Sequence, residues 1–145
     1  MISDRHAPSR QSYGTAYEQM LEKVRYEGAY PALERADEAV RLVLAGLGRQ
    51  LTGDERVDLA GCLPWEAARV LTAQIPDHQP LTGWSFVKDL AARTGASLAT
   101  TRWDTGSVFS AVAAYVGSDL ITRILHQLPT GYALLFGRAE LAPAA

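Results

Sequence analysis

One unit of this chain is written twice. Cys62-Leu63-Pro64-Trp65-Glu66-Ala67-Ala68-Arg69-Val70-Leu71 aligns without a gap on Gln127-Leu128-Pro129-Thr130-Gly131-Tyr132-Ala133-Leu134-Leu135-Phe136, at the 65-residue spacing of Pro64 and Pro129. At the same spacing Val43 falls on Val108, Leu47 on Val112, Leu51 on Val116, Asp54 on Asp119 and Leu59 on Ile124. A duplication of this size constrains the fold more than any single motif does. Each copy has an apolar face that it cannot bury alone, so the copies are expected to pack on each other.

The chain has 145 residues, which is one domain's worth. A compact chain of that length removes about 68 to 70% of its unfolded surface from water, enough for a core without covalent staples. Apolar residues make up 48% and charged residues 21%, which is ordinary globular usage and excludes a disordered or fibrous chain. A formal net charge of −2 gives no long-range attraction for phosphate, so nucleic acid and anionic membranes are disfavoured as partners. Cys62 is the sole cysteine, which excludes an intrachain disulfide and points to the cytoplasm. Arg5, His6 and Arg10 are not followed by an apolar signal region, and no run approaches the roughly 20 apolar residues of a membrane helix.

Apolar spacing predicts helices throughout. Residues 1–12 lack periodicity and read as a mobile arm. Tyr17, Met20, Leu21 and Val24 mark one face of a first helix that Gly28 ends. A second helix is expected from about Pro31, with Ala36, Val40, Val43, Leu44, Leu47 and Leu51 facing the core. Thr101, Thr105, Val108, Phe109, Val112 and Val116 hold the matching places in the second copy, and the two threonines blur where that helix starts. Thr52-Gly53-Asp54-Glu55 has the form of a capping box for a third helix, and Ser118-Asp119 reads as a simple cap in the second copy. Each Leu-Pro then starts a short fourth helix. Residues 73–83 form a linker, after which Phe86, Val87 and Leu90 restart the pattern. The expected architecture is an all-α bundle of about eight helices in two pseudo-symmetric four-helix repeats. Its boundaries are a 1–12 arm, repeat 13–72, linker 73–83, repeat 84–136 and tail 137–145.

Leu63-Pro64, Gln127-Leu128-Pro129 and Leu134-Leu135-Phe136, set in a duplicated helical unit, resemble the bacterial family catalogued as domain of unknown function 2267. The resemblance runs from about Tyr17 to Phe136. It implies a helical fold and brings no catalytic signature, cofactor or substrate. Cys62 stands where the second copy has Gln127, a departure from the Gln-Leu-Pro form.

Candidate chemistry is sparse. His6, His78 and His126 lack metal-ligand spacing, so no metal site is expected. Cys62 reads as a small buried core residue unless a base approaches it. Asp54, Glu55 and Asp58 share one helix, but capping explains the first two, and Arg123 replaces Asp58 in the second copy. Arg35, Arg41, Arg49 and Arg56 alternate with acids, the pattern of a solvated, salt-bridged face. Gly46 and Gly48 are placed to permit close helix contact, and no phosphate-binding or nucleophile motif is present.

Trp65, Trp84 and Trp103 are the remaining candidates. Trp65 corresponds to Thr130, a polar residue, so its position suits a surface interface anchor as well as local packing. The leading reading is therefore a non-catalytic, cytoplasmic helical interaction module that binds a protein partner or itself, with no cofactor. The alternatives are a small enzyme or ligand-binding protein with a site between the repeats, built from Asp54, Asp58, Cys62 or His126, and a nucleic-acid-associated protein that uses the arm.

Overall fold

The computed structural model describes residues 13–139, so the expected 1–12 arm lies outside the described residues. Among them the chain forms eight helices and no strand, the all-helical architecture expected. These are α1 (Thr15–Gly28), α2 (Leu33–Gln50), α3 (Gly53–Cys62), α4 (Trp65–Thr72), α5 (Gly83–Thr94), α6 (Leu98–Val116), α7 (Ser118–Gln127) and α8 (Tyr132–Leu135). Every helix contributes to one contiguous core, from Tyr17 and Met20 of α1 to Tyr132 and Leu135 of α8. The long helices α2 and α6 carry the packing: α1 lies against both, α4 against α2, and α5 against α6. Aromatic rings fill the α5, α6 and α8 end, where Phe109 stacks on Phe136 at 4.1 Å between centroids and Phe86 meets Tyr132 edge-on at 5.4 Å.

Two tyrosines pin α1 at its ends. The Tyr17 hydroxyl donates to Asp37 of α2, and Tyr30, just past the helix, donates to Asp104 of α6. Between them α1 ends at Gly28 as expected, but the residue in the left-handed region is Ala29, at φ 53°. Gly28 is required for a different reason, since a β-carbon there would lie 2.2 Å from the Tyr30 ring. Gly46 and Gly48 do permit close approach. A β-carbon on Gly46 would meet Leu90 at 2.9 Å, and one on Gly48 would meet the Leu71 carbonyl oxygen at 2.2 Å.

Several local expectations are corrected. α2 begins at Leu33, not Pro31. Ser97 caps α6 by accepting the Thr100 N–H, which sets a definite start at Leu98, and the Thr101 and Thr105 hydroxyls donate to carbonyls four residues back. The Thr52–Glu55 capping box does not form. The Gln127 side chain, from α7, accepts the Thr52 N–H at 2.7 Å and donates to the Thr52 carbonyl and to Glu55 at 2.9 and 2.8 Å. Gly117, not Ser118, is the N-cap of α7, and Ser118 lies inside the helix with its carbonyl and hydroxyl accepting from Arg138. Arg56 is not on a solvated face. From α3 it is partly buried and donates to the carbonyls of Gly48, Leu71 and Thr72 in the last turns of α2 and α4 and of Leu51 and Gln74 just beyond them.

Candidate interaction surface

Trp103 lies in the second turn of α6, and its exposure of 55% leaves the indole face at the surface. Its ring N–H donates to the Gly28 carbonyl at 2.9 Å, an α1-terminal group with no helical partner of its own. The indole edge is therefore fixed and the face is what remains to offer. It borders a crevice of about 450 Å³ with Tyr30, Pro31, Ala99 and Thr100, floored by Arg35 and Asp104.

The floor is an ion pair whose acid is buried and whose guanidinium is partly solvated. Asp104 is only 4% exposed, in the apolar stripe of α6 between Thr101 and Val108. A carboxylate in that position must be paired. Arg35 donates through Nη2 to both carboxylate oxygens at 3.1 and 2.9 Å, Tyr30 donates its hydroxyl at 2.6 Å, and the Arg35 guanidinium lies 5.0 Å from the Tyr30 ring centroid. Burial, and then the bond to Asp104, hold the Tyr30 hydroxyl proton well above the ordinary tyrosine range. Three donor bonds therefore converge on the Asp104 carboxylate. A second crevice of about 470 Å³ shares Arg35, Thr100 and Asp104 with the first and continues to Glu38, Leu42 and Thr94.

Trp65 and Trp84 open α4 and α5, and are 66% and 60% exposed. Each is stacked with a cation one turn later in its own helix: the Arg69 guanidinium lies 4.8 Å from the Trp65 ring and the Lys88 ammonium 5.9 Å from the Trp84 ring. The two tryptophans are thus surface residues, with one face of each occupied by its own helix's charge.

The other candidate groups come together only in part. Cys62 is exposed, not buried as expected, because α3 turns a single fully buried residue, Leu59, toward the core. It borders an open groove of about 780 Å³ between α3 and α7 with Val57, Asp58, Asp119 and Arg123. Asp58 is taken by Arg123 at 2.7 Å, and Arg123 also holds Glu55 at 3.1 Å. Asp54 lies in the first turn of α3, and His126 is exposed in the last turn of α7, in favourable positions toward the helix dipoles. Among the described residues no group of three or more His, Cys, Asp or Glu side chains is placed to hold a metal ion.

Local spacing does not reveal the Tyr30–Arg35–Asp104 cluster, since Asp104 lies 69 positions from Arg35 and 74 from Tyr30. A signal for it exists: Asp104 falls three residues after Thr101 and four before Val108, so it interrupts a stripe that the helical period assigns to the core.

A family model described as "uncharacterized conserved protein (DUF2267)" matches residues 17–135. None of the curated proteins matches the chain.

Proposed function

The chain belongs to the DUF2267 family, whose description names no activity, and from that premise we propose that it is a non-catalytic helical interaction module. It meets another protein, or a second copy of itself, through its exposed tryptophans. The observation that carries this reading is the exposure of Trp65, Trp84 and Trp103 at 55 to 66%, outside a core that buries Tyr17, Phe86, Phe109 and Tyr132, although Tyr26 and Tyr115 are exposed as well. Tryptophan anchors interfaces because it covers much area with few rotatable bonds. Trp103, already bonded to Gly28, loses little further freedom on binding. A non-catalytic role is favoured by the engagement of the acids that geometry brings together: Asp104 by Arg35 and Tyr30, and Glu55 and Asp58 by Arg123.

The module consists of two pseudo-symmetric four-helix repeats, 13–72 and 84–136, joined by 73–83. In support, α2 and α6 begin at Leu33 and Leu98, α3 and α7 begin at Gly53 and Ser118, and the latter pair end at Cys62 and Gln127, each 65 residues apart as in the duplicated sequence. Asp58 and Arg123, equivalent positions, meet across the seam, as residues near a two-fold axis do. A cytoplasmic site of action in a bacterial cell fits the single exposed thiol. Among the described residues no helix is long and apolar enough to cross a membrane.

Capture from a lysate of the native host, followed by affinity measurement on the captured protein with Trp65→Ala, Trp84→Ala and Trp103→Ala, tests the proposal. At least one variant should bind about tenfold more weakly, a loss of about 1.4 kcal/mol, with its unfolding midpoint unchanged. Equal affinity in all three, and in the triple variant, would rule the tryptophan surface out.

A further inference from the structure

The Trp65 surface carries a more specific chemistry than exposure alone. Trp65 and Arg69 border a crevice of about 440 Å³ whose walls include Ala45 and Val70 and whose other charged members are Arg41 and Glu66. The Arg69 guanidinium lies over the Trp65 ring and, among the described residues, has no hydrogen-bond or ion-pair partner. With its carbon 4.8 Å from the ring centroid, the guanidinium keeps its N–H donors uncommitted, and they can take a carboxylate as a fork. Arg41 is engaged only through Nε, which donates to both oxygens of Asp37, so its two Nη groups are also uncommitted. Glu66, the one acid of the crevice, already accepts the Gly14 N–H through Oε2 at 3.0 Å. Two arginines with open donors therefore border one partly apolar crevice beside an exposed aromatic ring. The equivalent positions in the second half are Thr130 and Leu134, so this combination occurs once in the molecule.

Resting on the interaction-module reading, we infer that the Trp65–Arg69–Arg41 crevice binds an acidic polypeptide segment. An aspartate or glutamate carboxylate is held by the guanidinium groups, and a neighbouring apolar side chain lies against Trp65, Ala45 and Val70. The single-charge complementarity distinguishes this from a neutral apolar groove, and the small size of the crevice suits one or two side chains.

The test is a titration of the full chain, ¹⁵N-labelled, with a blocked ten-residue peptide of alternating glutamate and leucine, with the same peptide carrying glutamine for glutamate, and with a short single-stranded DNA. The Arg69 Nε–H and Trp65 indole N–H signals should shift saturably with the acidic peptide. Binding should be about tenfold weaker for the glutamine peptide and for Arg69→Gln, and partly retained in Arg69→Lys, which keeps the charge but not the fork. Equal binding of the glutamine peptide, equal binding by Arg69→Gln, shifts that avoid Trp65, or tighter binding of the DNA would each overturn the inference. Failure here with loss of partner affinity in any of the three tryptophan variants would remove the carboxylate site alone; failure here with equal affinity in all three and in the triple variant would remove the interaction module as well.

Discussion

Asp104 is a charge in the interior of a helical core, held there by one guanidinium nitrogen shared between its two oxygens and by a tyrosine hydroxyl. Replacing it by alanine leaves Arg35 and the Tyr30 hydroxyl without their acceptor, and should cost about 2 to 3 kcal/mol in urea unfolding, Arg35 being partly solvated. A cost near zero would mean that water serves Arg35 equally well. The buried tyrosines give a pH prediction. Burial is the largest cause raising the hydroxyls of Tyr17, Tyr30 and Tyr132 above the ordinary value of 10.0, with Asp37 and Asp104 adding to the first two. Above about pH 10 the unfolded chain therefore loses these protons while the folded chain keeps them, and stability falls with a slope of up to about 1.4 kcal/mol per pH unit for each tyrosine. Below that pH the contribution is fully present. Tyr30→Phe should flatten the alkaline slope by about one tyrosine's share, and an unchanged slope would contradict the assignment.

Helix ends decide how the elements fit together. Arg56 serves carbonyls at the ends of both α2 and α4, so Arg56→Met should cost about 3 kcal/mol, far more than a solvated arginine would, as measured by denaturant midpoint at constant m-value. Gln127 and Cys62 occupy equivalent positions with unequal tasks. The Thr52 N–H is taken by Gln127, whereas the N–H of its counterpart Gly117 already bonds to the Ala113 carbonyl. Gln127→Ala should therefore cost about 1 kcal/mol and Cys62→Gln should gain little, a contrast that thermal midpoints would reveal. The same groups mark the limit of what was legible in the sequence. The 3.6-residue period identified the helices and most of the core, because burial of α2 and α6 repeats with that period. The capping box at Thr52 failed because its N–H partner comes from a residue 75 positions away, and local spacing cannot carry that information. Arg56 read as solvated for a like reason: its neighbours in the chain are acids, but its neighbours in space are carbonyls.

At the scale of the whole molecule, one core ties both halves together, while charged residues cross the α3–α7 seam and tryptophans face outward. The exposure of Trp65, Trp84 and Trp103 was open in the sequence, since a helical tryptophan can face either way until its neighbours are placed. The duplicated spacing was legible, but the differences between the halves give the surface its character: Trp65 and Arg69 stand where the second half has Thr130 and Leu134. Hydrogen exchange of the chain alone and with its captured partner is the most direct test of the interaction surface. Slowed exchange is predicted in the first turns of α4 and α6, around Trp65–Arg69 and Ala99–Asp104, and at the Gly28–Pro31 turn beside Trp103. Slowed exchange confined to the Cys62 groove between α3 and α7, with these segments unchanged, would contradict the tryptophan surface and place recognition between the two halves.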